Sequence, residues 1–282
     1  MEKPKDLDDI WTDLDAKKGD LITRSEQYAQ WTIPSICPEE VEEGAEQTKG
    51  NVDIGARLVN HLANRVTDTM FPNDRPFFTI PLSAESEQKI EEELEDQEQR
   101  DAYRREVKKA TAKIENQAMR RINLTAYRPV AIQAIQHLIV TGNAVIHRNE
   151  YEDDTRSVYG VKEFCITRDI KGKPLSCILK DSKKFNALPV AMRDRLHQSD
   201  KDYDDDTDVA VYTYYYRMMG GKWFRIQGLD SLLLEETEKS YTEDDLPILP
   251  LVWNLSRGHN YARGLVEDHA VTFHNVDVTT QA

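Results

Sequence analysis

Cysteine is scarce in this 282-residue chain: Cys37, Cys165 and Cys177 form an odd set without CxxC spacing. That excludes a disulfide framework and fits a reducing compartment in which the thiols serve as small core residues. Long apolar runs are missing too. The longest, Ala134 to Ile146, is interrupted by Gln136, His137, Gly142 and Asn143, so nothing reads as a membrane span and no membrane partner is expected. Met1-Glu-Lys-Pro-Lys-Asp carries no apolar signal-peptide core. Bases are outnumbered, 37 Lys and Arg against 51 Asp and Glu, and the net charge of −14 argues against a general nucleic-acid binder. It is compatible with DNA passing nearby without sticking. Catalytic patterns are absent as well: no GxSxG, HExxH or GxGxxG occurs, and Lys171-Gly-Lys-Pro lacks the glycine framework of a phosphate loop. The acids form charge runs without an apolar setting that would split their pKa values. The expectation is a non-enzyme with no catalytic residue, cofactor or metal.

What is present is helical periodicity first and strand alternation later. Asp6 to Tyr28 reads as one helix with Leu7, Ile10, Trp11, Leu14, Leu21 and Tyr28 as its apolar positions. Two prolines make Trp31 to Pro38 extended, and Glu39 to Gly50 reads as an acidic loop. Asn51 to Met70 repeats Ile54, Leu58, Leu62, Val66 and Met70 every four residues, which marks an apolar helix face. Pro76 to Leu82 reads as a short strand. Ser86 to Asn123 reads as one long charged helix: Glu87 to Glu98 holds seven acids and one Lys, whereas Arg100 to Arg121 holds eight bases and three acids. Acids early and bases late complement the helix dipole, and a solvated or inter-subunit helix is favoured over a nucleic-acid contact. Pro129 to Thr141 is the most apolar helix, stopped by Gly142-Asn143.

From Ala144 onward the pattern turns to β. Ala144 to His147, Val158 to Thr167 and Leu175 to Lys180 read as strands, with a hairpin across Arg168 to Pro174. Ala187 to Leu196 is a short helix. Val209 to Met219 and Lys222 to Gln227 flank Gly220-Gly221, a hairpin turn, and Tyr212, Tyr214 and Tyr216 share one face as sheet packing rather than a base-stacking platform. Leu246 to Asn254, broken by prolines, reads as an edge strand. His137 and His147 read as structural, because no Cys or acid stands at metal spacing. Asp200 to Asp208 packs six aspartates into nine residues without the EF-hand pattern and reads as a solvated loop. Tyr261 to Ala282 has near-helical spacing but no C-cap signal, so the element is expected to continue in a longer chain or be completed by neighbouring subunits. The fold class is α+β.

Several stretches, in this order, resemble the portal (head-to-tail connector) proteins of short-tailed, podovirus-type bacteriophages. They are Gln30-Trp-Thr-Ile-Pro-Ser-Ile-Cys-Pro38, Gly55-Ala-Arg-Leu-Val-Asn-His-Leu-Ala63 with Met70-Phe-Pro72, Leu138-Ile-Val-Thr-Gly-Asn143, Ala187-Leu-Pro189, Val211-Tyr-Thr213, Pro247-Ile-Leu-Pro-Leu-Val-Trp253 and Tyr261-Ala-Arg-Gly264. Each is weak alone; their order and spacing are specific. The resemblance implies a virion component at the capsid portal vertex, assembled in the host cytoplasm as a ring of usually twelve copies, with double-stranded DNA moving through its channel during packaging and ejection. It implies major capsid and scaffolding proteins, a terminase motor and tail adaptor proteins as partners. Residues 1–254 then correspond to the α+β wing, helical over 1–142 and mainly β over 143–254, and residues 255–282 to the start of a stem helix. The family's clip, returning stem helix and crown have no counterpart here. An N-terminal portion, from a split gene, cleavage or truncation, is therefore expected, completed by the remaining portal half or a second polypeptide. Under that reading Glu267, Asp268 and Asp277 lie on the stem helix, facing the channel or a neighbouring subunit, since an acidic wall reduces friction on DNA. Arg104, Arg105, Lys108 and Lys109 make an inter-subunit helix, since head-to-tail contacts join two different surfaces. Two alternatives stand beside it: another virion ring or internal structural protein with a wing-like fold, and an acidic metal-dependent nuclease using Asp200 to Asp208 with Mg²⁺, Mn²⁺ or Ca²⁺.

Overall fold

Strand alternation from Asn143 onward produces two antiparallel sheets, and helical periodicity before it produces the layer that covers them. The computed structural model describes residues 4, 6–39, 53–94, 96–149, 155–197, 203–218 and 221–281. The helical half comprises α1 (Leu7–Ala16), α2 (Gly19–Gln30), a 3-10 turn (Pro34–Ile36), α3 (Asp53–Met70), α4 (Ala84–Glu93), α5 (Gln97–Leu124) and α6 (Tyr127–Val140). There follow β1 (Asn143–Arg148), β2 (Arg156–Tyr159), β3 (Phe164–Arg168), β4 (Pro174–Lys184), a second 3-10 turn (Phe185–Ala187) and α7 (Val190–His197). The chain continues through β5 (Asp208–Arg217), β6 (Trp223–Leu229), β7 (Leu232–Tyr241), β8 (Ile248–Val252), α8 (Leu265–Asp268) and α9 (Ala270–Gln281). The expected α+β class is the class observed.

The larger sheet runs β3-β4-β5-β6-β7, each strand beside its sequence neighbour, and the smaller runs β2-β1-β8. The pleat sends alternate residues to opposite faces. On one face Tyr212, Tyr214, Tyr216, Ile178 and Cys165 pack with Leu7 and Trp11 of α1, and the Tyr212 hydroxyl donates to Asp8 Oδ1 at 2.6 Å. The tyrosine row is sheet packing. On the other face Phe164, Ile166, Cys177, Tyr215 and Trp223 meet Val145, Tyr159 and Ile248 of the smaller sheet. Tyr215 and His147 Nε2 lie within hydrogen-bond distance, 2.9 Å, across that interface. All three cysteines are free and buried, and burial raises the Cys37 thiol to about 11, so they are inert filling. β8 pairs with β1 alone and stands at an edge, where Pro247 and Pro250 need give no ladder donor outward.

Several expected elements are divided. The 6–28 helix breaks after Ala16, because Lys18 turns inward. The 86–123 helix breaks at Leu94, and Asp96 caps α5 by accepting from the Glu98 N–H. Pro76 to Leu82 is not a strand: the Ile80 N–H donates to the Glu115 carboxylate instead of a ladder. The expected 158–167 strand is two, β2 and β3, in different sheets, separated by a turn at Gly160 whose N–H donates to Glu163 Oε2 at 2.7 Å. β7 has no counterpart among the strands expected from the sequence pattern. The segment around Pro34 makes a 3-10 turn rather than an extended run. The acidic loop 40–50 and residues 219–220 of the expected hairpin turn lie outside the described residues.

α3 is rotated from the face its sequence advertises. Gly55, Val59, Ala63 and Thr67 are buried, while Ile54 and Leu58 are 51% and 54% exposed and Met70 is exposed too. The cause is close approach: a Cβ at Gly55 would lie 2.0 Å from the Trp31 carbonyl oxygen, so small residues take the inner side. The larger apolar side chains are left along an outer groove.

Two buried polar groups yield tests, and one of them, Lys18, ties the layers together. Lys18, with its side chain fully buried, donates to the Val161 and Phe164 carbonyls, each at 2.8 Å, pairs with Asp15 at 3.0 Å and lies 4.8 Å from the Trp11 ring centroid. Lys18→Met should remove about 2–3 kcal/mol of stability in urea unfolding, since two carbonyls lose their donor; a loss below about 0.5 kcal/mol, the scale of an ordinary surface change, would refute that role. Burial holds His137 neutral and lowers its pKa from 6.5 to about 4. The unfolded chain takes up a proton at higher pH than the folded one, so stability is full above pH 6.5 and falls as pH drops towards 4. His137→Leu should flatten that slope in urea midpoints measured at pH 7 and 4.5; equal losses in both proteins would rule the effect out.

Candidate functional site

Among the described residues no catalytic constellation forms, and the surfaces that carry the sequence-derived candidates are the α8–α9 segment and the α5 helix. The first is delivered by a tight junction. Gly142 adopts a positive φ of 78° at the end of α6, and the Asn143 side chain then grips the backbone of Ala262, donating to its carbonyl at 2.9 Å and accepting its N–H at 2.8 Å. The Ile166 N–H donates to the Tyr261 hydroxyl, and Arg263 pairs with Asn254 as an isolated bridge. Gly264 then passes so close to α6 that a Cβ there would lie 2.7 Å from the Val140 oxygen and 2.8 Å from the Gly142 nitrogen. α8 begins immediately after this contact, and the chain bends at His269 into α9 rather than running as one helix from Tyr261.

The three acids on this segment have different surroundings. Glu267, its side chain 8% exposed, is held by Arg24 at 2.8 Å and Arg263 at 3.1 Å. Asp268 is exposed and stands 3.7 Å from Arg263, while Asp277 is buried. The structure therefore does not bring the three together on one face.

α5 is 28 residues long and only Met119 on it is buried. Arg104 pairs with Glu91 at 3.4 Å, tying α5 to α4, and with Asp101 at 3.9 Å. Arg105 Nε donates to the Asp101 carbonyl, and Lys108 and Lys109 are exposed. Of the Asp200–Asp208 stretch, residues 200–202 fall outside the described residues; Asp208 pairs with Lys184 at 3.2 Å, and among the described residues no group of His, Cys, Asp and Glu could hold a metal ion.

The family described as bacteriophage head to tail connecting protein matches residues 4–280. The chain belongs to that family. It is 25% identical over 263 residues to the portal protein of Enterobacteria phage SP6, covering 93% of this chain and 49% of that protein. It is 26% identical over 280 residues to the portal protein of Pseudomonas phage phiKMV, covering 96% and 52%. Against the portal protein of Escherichia phage T7 it is 24% identical over 266 residues, covering 92% and 48%. The chain thus spans about half the length of the curated relatives it matches. The alternatives, another virion ring or internal structural protein and an acidic metal-dependent nuclease, gain nothing from these matches.

Sequence reasoning missed the Asn143–Ala262 clamp, although Gly142-Asn143 marked the helix stop. It could have been found only by asking where a buried Asn amide, 1% exposed, finds both donor and acceptor. Gly264→Ala would force α6 and α8 apart, and overpacking of this kind costs about 1–3 kcal/mol. Hydrogen exchange should show faster exchange of the α8–α9 amides with the large sheet unchanged; unaltered protection there would show that the close contact is dispensable.

Proposed function

We propose that this chain forms the body of a phage portal, a structural ring at the capsid vertex that joins head to tail and conducts double-stranded DNA. The observation that carries the reading is the family match over residues 4–280, reinforced by portal proteins of three phages aligned over nine-tenths or more of the chain. Residues 1–254 act as the wing and 255–282 as the start of the stem; the relatives' remaining half, in the same or a second polypeptide, completes clip and crown. Copies assemble head to tail, usually twelve to a ring, against major capsid and scaffolding proteins, with a terminase motor and later tail adaptors docking on the ring. Assembly takes place in the host cytoplasm.

The charges support a conduit that lets DNA slide. A chain with net charge −14 offers a duplex few counterion-releasing contacts. Of the three stem acids, Asp268 is the exposed one and is assigned to the channel or the neighbouring subunit, with Glu267 fixing the helix by its two arginine pairs. The basic part of α5 is assigned to contact between copies.

Negative-stain imaging of particles carrying this chain should show rings with a central hole. Reversing Arg104, Arg105, Lys108 and Lys109 to Glu should reduce ring yield by about tenfold or more, the scale of losing one or two interface anchors. Normal rings from that variant would remove α5 from the interface, and particles without any ring would remove the portal reading itself.

A further inference from the structure

α4 and α5 form an arm that meets the body at one tight elbow. α4 folds back along α5, where Arg100 donates to the Glu91 carbonyl at 3.0 Å and Arg104 pairs with the Glu91 carboxylate at 3.4 Å. Among the described residues Ile90 is the one buried side chain of α4 and Met119 that of α5, so packing gives the arm little grip on the rest of the chain. α5 ends at Thr125, and the next residue, Ala126, takes φ 50° and ψ 34°, in the left-handed region. A Cβ makes that conformation costly, and glycine is the usual residue at such a helix end. The chain has no escape by straightening. If α5 ran on into α6, Pro129 would stand in a helix interior, without an N–H and with its ring against the Thr125 carbonyl four residues back.

One side chain touches both sides of the strained residue. Arg156 projects from β2, which pairs with β1 of the smaller sheet. Its Nη1 donates to the Thr125 hydroxyl at 3.2 Å, and its guanidinium lies over the Tyr127 ring, 5.5 Å from the centroid. Tyr127 belongs to the body: its ring meets Phe71 edge-on at 5.4 Å, and Phe71 meets Phe77 in the same way at 5.1 Å. Arg128 pairs with Asp68 at the end of α3 and donates to the Phe71 carbonyl at 2.8 Å. The body side of the elbow is therefore anchored by rings and by Arg128, and Thr125, on the arm side, is tied back to the sheet through Arg156. The exposed bond from the Ile80 N–H to Glu115 steadies α5 further along and does not touch the turn.

We propose that Arg156 sets the angle of the α4–α5 arm and, through it, the number of copies that close the ring. The inference rests on the contact between copies assigned to α5 above. A heterologous contact closes only when its rotation divides the circle. A ring of about twelve copies turns about 30° from one to the next, and rings of about eleven or thirteen differ from that by about 2–3°. α5 has 28 residues. At about 1.5 Å per residue it is about 42 Å long, so a swing of that size moves its far end by about 2 Å. A single ring size therefore needs an elbow stiff to a few degrees. An arm with two buried side chains lacks that stiffness, and Arg156 supplies it by fixing the chain before and after the turn to the smaller sheet.

Arg156→Ala cuts the tie, and Ala126→Gly removes the Cβ that narrows the turn. Arg156 is half-buried and Ala126 exposed, so both variants should keep the parent's cooperative melt by circular dichroism. Spin labels at Ala102→Cys in the arm and Ser231→Cys in the body read the elbow, since both positions are exposed and the three native thiols are buried. In the unassembled chain, electron–electron distance measurement should give one narrow distribution for the parent and a broader one for each variant. Rings isolated with each variant and weighed by native mass spectrometry should spread over neighbouring copy numbers where the parent gives one. A folded Arg156→Ala chain that keeps the narrow distribution overturns its role at the elbow. If that variant does not fold, Ala126→Gly decides: an unchanged distribution overturns the proposal. A broadened distribution with ring sizes unchanged overturns the link to copy number and leaves the portal reading intact. A parent chain that forms no ring overturns that reading, and the link to copy number with it.

Discussion

A single buried ammonium group holds the layers in register. Lys18 is fully buried, so its three N–H bonds must all be satisfied inside the protein, and its acceptors are set by three different segments: Asp15 at the end of α1, and the Val161 and Phe164 carbonyls on either side of the turn into β3. An ammonium removed from water is tolerated only with that full set. The position of α1 over the tyrosine face, the break between α1 and α2, and the entry of β3 into the larger sheet are consequently one constraint. With α1 fixed there, Leu7 and Trp11 close the outer face of the sheet, and α2 is placed to present Arg24 to Glu267.

Much of this was legible where burial agrees with local period. The hairpin strands β3 to β6, the edge position of β8, and the apolar helix before Gly142-Asn143 follow from alternation, proline and a helix stop. The failures share a cause: in each, a contact between distant residues overrules the local pattern. A four-residue repeat names Ile54, Leu58 and Met70 as the inner face of α3, but the 3.6-residue turn lets a glycine-lined face sit inward once Trp31 approaches Gly55. β2 and β3 read as one run because the turn at Gly160 depends on a carboxylate three residues on. β7 escaped because an edge strand buries little; its Glu235, Glu236 and Glu238 are exposed and look like a loop in sequence, although charge on an edge is what keeps it from pairing with another chain. The candidate interface residues of α5 were visible as a charge run, whereas the groove was invisible, being assembled from α3, α6 and the α8–α9 segment, which are far apart in sequence.

The entry into the α8–α9 segment is fixed by several contacts at once. A close glycine passage, an asparagine that imitates a strand's pairing groups, and two arginine–glutamate contacts all act within a few residues of Gly264.

The hydrogen bond between Asp8 and Tyr212 spans 204 residues of sequence. A ribosome adding about 5–20 residues per second needs roughly 10–40 s to produce the partner after the first helix has emerged. During that time the amphipathic α1, with Leu7 and Trp11 on its apolar side, has no sheet to cover. Chain synthesis therefore leaves α1 uncovered until β5 and the larger sheet have formed.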